Sequence, residues 1–233
     1  MRARELHPWD VTAQEARAIQ RQLADQIAAS DAIALAAIKV VAGADNAYVK
    51  TDGATTGYAA AVIFDFPGLD LIETSLAERP VTFPYVPGLL SFRETPAVLA
   101  AFAGITHEPD AVLVDGHGYA HPRRAGFASH LGLLLDRPTI GCAKSVLVGR
   151  YEEPGPAFGD HTPLLDHGEV IGAAVRTRPG HAPLFVSVGH KISLETAIAV
   201  VLACDPDHGF MPIPTRTAHN AVTAYTRPLR QRR

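Results

Sequence analysis

The sequence predicts a single α/β domain with a mixed sheet, an antiparallel meander followed by parallel strands, flanked by helices. Three observations predict it. Three strand-like runs, 39–48, 58–66 and 69–75, follow one another through short turns at Asp52-Gly53 and Pro67-Gly68, as antiparallel neighbours do. Beyond a proline-rich stretch, short apolar runs alternate with helical stretches, the pattern of buried parallel strands joined by crossovers. No repeat, low-complexity tract or linker divides the 233 residues, so 1–233 reads as one domain with a basic tail from about 226.

In chain order, residues 12–29 read as an amphipathic helix. Thr12 and Glu15 form a capping-box pair, and Ala16, Ile19, Leu23 and Ile27 share one face. The first strand carries Asp45 at its far end. The proline-rich stretch 83–88 leads into a helix over 92–103 with Glu94 in its first turn. An apolar run at 111–114 ends on Asp115-Gly116, a helix covers 127–135, and a second run at 139–143 stops before Lys144. Strands at 170–176 and 184–188 precede a helix opened by Ser193 and running to 203. A last helix, 215–225, carries His219.

Composition narrows the class. Hydrophobic residues make up 47% and charged residues 19%, which suits a soluble folded domain and not a disordered chain. A formal charge of −3 speaks against a protein that coats nucleic acid nonspecifically. The charge is uneven, however. Arg227, Arg230, Arg232 and Arg233 crowd the tail, and His121-Pro-Arg123-Arg124 and Arg176-Thr-Arg178 are basic. Such clusters read equally as solvated surface or as the local rim of a phosphodiester site. Cys142 and Cys204 form no CxxC pattern, so neither a disulfide scaffold nor a zinc knuckle is expected. The first residues lack the apolar run of a signal peptide, and no segment has the length of a membrane span. A cytoplasmic protein without membrane contact is the expectation.

Asp45, Glu94 and Asp115 are the residues most in need of explanation. Each has a plain structural reading: an Asx turn at Asp45-Asn46, a helix-start charge at Glu94, a turn former at Asp115-Gly116. Three carboxylates converging on one sheet edge, however, repel one another unless a cation sits among them. Magnesium suits such an oxygen-only set and commonly bridges a phosphate. His219 suits proton transfer or contact with a second metal. Lys144, ending another apolar strand, can pair with a phosphate or an attacking water.

These residues sit in blocks that resemble the endonuclease V family: Ala42-Gly-Ala-Asp45, Pro84-Tyr-Val-Pro-Gly-Leu-Leu-Ser-Phe-Arg-Glu94, Val114-Asp-Gly-His-Gly118, His121-Pro-Arg-Arg124, Ala128-Ser-His-Leu-Gly132, Gly141-Cys-Ala-Lys144, Gly189-His-Lys-Ile-Ser193 and Pro212-Ile-Pro-Thr-Arg216 before His219. They span about 38–220. Cys142, where Val is common, and the arginine-rich tail depart from the pattern without touching the carboxylates. The resemblance implies a ribonuclease-H-like core and cleavage of the second phosphodiester bond 3′ to deoxyinosine in DNA, with inosine in RNA a further substrate to test. It implies 3′-hydroxyl and 5′-phosphate products. Separately from the resemblance, a monomer is the expectation. Asp45, Glu94 and Asp115 would bind Mg2+, with Mn2+ able to substitute, and Lys144 and His219 would support catalysis. Substrate binding would fall to Pro84, Tyr85, Val86, Pro87, Gly88, Leu90, Gly116 and His121. Pro84 and Pro87 stiffen a loop whose Tyr85 can wedge where a base is pushed out, which is least costly for a poorly paired deaminated base. A junction resolvase or hybrid nuclease would share the acids but have no use for the wedge. A non-catalytic binder of inosine would not need the carboxylates, and a small-nucleotide phosphohydrolase would need neither wedge nor arginine clusters.

Overall fold

The computed structural model describes residues 1–230. One eight-stranded sheet runs in the order β3-β2-β1-β4-β5-β8-β7-β6. Its strands are β1 (Val40–Thr51), β2 (Ala54–Asp65), β3 (Leu71–Pro80), β4 (Ala111–Asp115), β5 (Thr139–Ala143), β6 (His161–Asp166), β7 (Glu169–Val175) and β8 (Leu184–His190). The meander β1–β2–β3 is antiparallel, and β4 and β5 run parallel to β1, as the apolar runs predicted. The last three strands return to antiparallel pairing against β5.

Among the described residues there are five α-helices, α1 (Ala13–Ala24), α2 (Leu90–Ala103), α3 (Phe127–Leu135), α4 (Leu194–Ala203) and α5 (Ile213–Arg230), of which α1 packs on α3 and the others on the sheet. Strand alternation divides the core between the two faces. Val41, Leu113 and Ile140 pack with Val200 and Val222 beneath α4 and α5. Ala42, Ala44, Val112 and Val114 pack with Val98, Phe102 and Leu131 beneath α2 and α3. The alanines of β1 keep the second face shallow and let α2 approach the sheet.

Several boundaries differ from the sequence reading, each for a local reason. α1 stops at Ala24, so Ile27 lies outside it. The chain turns away because the Ala28 carbonyl accepts from Lys191 N at 2.6 Å and its N–H donates to His190 Nδ1 at 3.2 Å. α2 begins at Leu90, after a turn closed by Leu89 N donating to the Val86 carbonyl at 2.9 Å. Glu94 is therefore in the second turn and not the first, where a helix-dipole role is weak. β1 continues to Thr51, so Asp45 is mid-strand and not terminal. β6 was missed: it is an edge strand containing Pro163, with Leu164 alone buried, a pattern that carries little strand signal. α5 starts earlier than predicted and takes in Arg227 and Arg230, while Gln231, Arg232 and Arg233 of the predicted tail lie outside the described residues. Both cysteines are buried free thiols.

Candidate active site

Strand register builds the site. β1 pairs with β4 from Val41 opposite Ala111 to Ala44 opposite Val114, so the next step sets Asp45 beside Asp115. There β4 ends while β1 runs on against β2, leaving one flank of β1 open. Asp45 and Asp115 follow the alternation of Val41 and Leu113 and lie on the α5 side. α5 reaches them because residue 43 is glycine: a Cβ there would stand 2.0 Å from the Pro214 carbonyl oxygen. That close approach brings His219 Nδ1 to 2.8 Å from Asp45 Oδ2.

Glu94 enters from the α2 side. It is 8% exposed. Tyr48 donates to its Oε1 at 3.2 Å. Asn46, with its amide nitrogen turned toward Glu94, donates to both oxygens at 3.2 and 3.1 Å. Arg93 lies over the Tyr48 ring, 4.5 Å from its centre. Burial pushes the Glu94 pKa up to about 8, and the charges of Asp45 and Asp115 add to the shift. Asp45 is also raised, by burial first and by Asp115 next among the raising causes. The three carboxylates therefore sense one another. Lys144, just past β5, donates from Nζ to Asp115 Oδ2 at 2.6 Å.

Among the described residues no three His, Cys, Asp or Glu side chains stand ready to hold one metal ion. Asp115 is engaged by Lys144 and Asp45 by His219. The donor set still fits a hard divalent cation. It is all oxygen, its members repel one another, and the ammonium of Lys144 lies where added positive charge relieves that repulsion.

Beside the acids lies a cavity of about 240 Å³, lined by Tyr85, Val86, Pro87, Gly88, Leu90, Gly116 and His121 among others. Pro84 is the one predicted substrate residue not on its wall. Tyr85 is 71% exposed at the tip of the proline loop. Gly88 takes φ +75°, a conformation open to glycine, and its carbonyl oxygen is held by three donors. These are Arg123 Nη2 at 2.7 Å, Gln20 Nε2 at 3.0 Å and His121 Nε2 at 3.0 Å. His121 Nδ1 accepts from the Arg123 N–H at 3.1 Å, so both ring nitrogens hold the loop. The ring is neutral: burial, with Arg123 beside it, takes its pKa down to about 4.

Residues the sequence reading missed complete the pocket. Gln20 comes from α1, Ser91 from α2, and Val146 and Leu147 form a part-exposed apolar lip. Ser91 ends a chain whose polarity is fixed at its far end. The Pro8 carbonyl can only accept, so His7 donates to it from Nδ1 at 2.8 Å. His7 Nε2 then accepts from His130 Nε2 at 2.6 Å, and His130 Nδ1 accepts from the Ser91 hydroxyl at 3.0 Å. No periodicity announces contacts between residues so distant in sequence. A larger cleft of about 740 Å³, under Tyr151 and His167, shares no residue with the acids or the loop.

Comparison with known proteins points to one family. The family model for endonuclease V matches residues 21–220. An endonuclease V of Roseiflexus sp. (strain RS-1) is 50% identical over 211 residues, covering 91% of this chain and 92% of its own. Among solved structures, endonuclease V of Bacillus subtilis superposes with a TM-score of 0.95 at 31% identity, covering all of both chains. Endonuclease V of Ciona intestinalis, solved with a 24mer DNA containing an inosine followed by a ribo-adenosine, gives a TM-score of 0.80 at 27% identity, covering 93% of this chain and 98% of that one. With Asp45, Glu94 and Asp115 gathered beside a stiff aromatic loop on this sheet, the chain belongs to the endonuclease V family.

Proposed function

We propose that this protein is a magnesium-dependent repair endonuclease that hydrolyses the second phosphodiester bond 3′ to deoxyinosine in DNA. The observation that carries the reading is the placing of Asp45 beside Asp115, with Glu94 close by, next to a cavity of about 240 Å³ under an exposed tyrosine. Membership of the endonuclease V family and the inosine-containing DNA held by the Ciona protein support it. Magnesium is the working cation, with manganese able to replace it. When bound by Asp45, Glu94 and Asp115, the cation supplies charge neutralisation at the scissile phosphate and a more acidic attacking water.

The chain's own groups do the rest. Tyr85, on a loop fixed through Gly88, fills the place of the extruded base, and the cavity beside it receives that base. Gly88, Leu90 and Gly116 line that cavity and bring the backbone close to the purine. Because base pocket and acids are separate, the base is read without its glycosidic bond being broken. Lys144 holds Asp115 and lies within reach of a phosphate oxygen. His219 keeps Nδ1 on Asp45, and its Nε2 has no partner among the described residues. That nitrogen is placed to move a proton as the 3′ oxygen leaves, giving 3′-hydroxyl and 5′-phosphate ends.

An end-labelled strand with one internal deoxyinosine tests this, beside an adenine control and an inosine-containing RNA. Each is run with magnesium, with chelator and with Asp115→Ala. A single magnesium-dependent cut one nucleotide beyond the inosine, lost in the variant, is expected. Equal cutting of the adenine control would defeat the base-specific part, and inosine-specific binding without cutting would mean a binder and not a nuclease. The RNA lane decides whether inosine in RNA is also a substrate.

A further inference from the structure

Gln20 is a polar side chain only 1% exposed, on a helix that otherwise buries Ala16 and Leu23. All of its hydrogen-bonding capacity points one way. Its nitrogen donates to the carbonyls of Gly88 at 3.0 Å and Ala125 at 2.9 Å, and its oxygen accepts from Arg123 Nε at 2.6 Å. α1 is thereby fastened to the proline loop. Helical spacing then fixes what α1 presents there: Arg17 and Arg21, one turn apart, flank Gln20, and both are exposed.

Among the described residues neither forms an ion pair, as many other arginines here do. Arg4 pairs with Asp136, Arg124 with Asp166 and Glu169, Arg137 with Glu108, and Arg216 with Asp207. By contrast, among the described residues Arg17 makes one long bond, to the Ala13 carbonyl at 3.4 Å, and Arg21 has no ion pair. Arg123 spends its donors on the neutral oxygens of Gln20 and Gly88. Arg123 is bonded to Gln20, which Arg17 and Arg21 flank on α1, so the three side chains share one side of the helix. The charges of Arg17 and Arg21 add to burial in lowering the Arg123 pKa. Three cations with no ion pair among the described residues repel one another. An anion bound among them removes that cost.

We propose that Arg17, Arg21 and Arg123 form a phosphate-binding rail for the nucleic-acid backbone on the α1 side of the base pocket, separate from the acidic site. The proposal rests on the nucleic-acid reading above and adds where the flanking strand is held. It also ties two events together. The helix that grips the backbone is the one that holds the Gly88 carbonyl, so the strand and the Tyr85 loop share one rigid support.

The test is binding of a fluorescent duplex with one deoxyinosine, in chelator to prevent cutting, from about 50 to 200 mM salt. Wild type is compared with Arg17→Gln/Arg21→Gln and with Arg4→Gln/Arg137→Gln. The last pair removes the same charge near the start of β5, opposite the strand ends that carry Asp115 and Lys144. Two lost phosphate contacts lower the slope of log affinity against log salt by about 1.8. Over that fourfold range of salt the affinity gap between wild type and the α1 variant narrows about tenfold. An unchanged slope in the α1 variant overturns the rail. An equal fall in the Arg4/Arg137 control also overturns it, because net charge alone would then suffice. Wild type binding inosine and adenine duplexes alike, with no salt dependence, would instead refute the nucleic-acid reading, and the rail with it.

Discussion

Lys144 Nζ donates to Asp115 Oδ2 at 2.6 Å, so this ammonium would compete with a metal ion for that carboxylate. Lys144→Ala is expected to lower kcat at least tenfold, through loss of the charge facing the phosphate. It should also lower the magnesium concentration that gives half-maximal rate, because Asp115 is released. Magnesium titration of wild type and variant checks both effects. A higher requirement for the metal in the variant would contradict the competition.

Glu94, with its pKa raised to about 8 by burial and by its acidic neighbours, holds a proton through much of the neutral range before metal arrives. Ligation requires the carboxylate, so magnesium binding at pH 7 should release close to one proton. Metal affinity should rise with pH up to about 8. Calorimetry in buffers of different ionisation enthalpy measures the release, which Glu94→Gln should abolish.

Gly43→Ala places a methyl group 2.0 Å from the Pro214 carbonyl oxygen, so the start of α5 must move. Destabilisation of about 1–3 kcal/mol is expected. Activity should fall further than stability explains, because His219 leaves Asp45. Urea unfolding gives the first quantity. The second is kcat measured well below the unfolding range.

Tyr85 is 71% exposed, so Tyr85→Ala should leave stability within about 0.5 kcal/mol. Activity on inosine in a duplex should drop by about 5- to 150-fold, the worth of one aromatic–base stack of about 1–3 kcal/mol. Inosine in single-stranded DNA, which needs no wedge, should suffer less. An equal loss on both substrates would argue against wedging.

His130 and His121 are held neutral by burial, with pKa values lowered from 6.5 to about 3 and about 4. On acidification the unfolded chain therefore binds protons before the folded one does. Their contribution to stability is complete above about pH 6.5 and is lost as pH falls toward 4. Well below pH 6.5 each imidazole removes about 1.4 kcal/mol per pH unit. Urea unfolding at pH 7, 5.5 and 4.5 should show this slope, reduced in His130→Phe.

What was legible in the sequence followed from local signals. The hairpin turns, the buried runs before Asp115 and Lys144, and the capping box at Thr12 each belong to a few adjacent residues, and the structure contains them. Asp45 and Asp115 stand out in the sequence because charge is costly within or at the end of an apolar strand. The supports were not found, because they join residues far apart in the chain. Gln20 reaches Gly88 and Ala125. His7 reaches His130, and Ala28 reaches His190. A glutamine in a helix and a histidine near a terminus look like solvated surface until the fold closes around them. The end of α1 is not legible for the same reason, since it is set by a partner more than 160 residues away.

The Gly88 carbonyl, with donors on it from three separate side chains, has a consequence for who yields when protein meets duplex. A loose loop would fold back against a stiff, well-paired helix and sample every step of it alike. A loop that cannot retreat would transfer the distortion to the nucleic acid, and the duplex would open where its own pairing is weakest. Selectivity would then begin in the mechanical contrast between enzyme and substrate, before any atom of the base is touched.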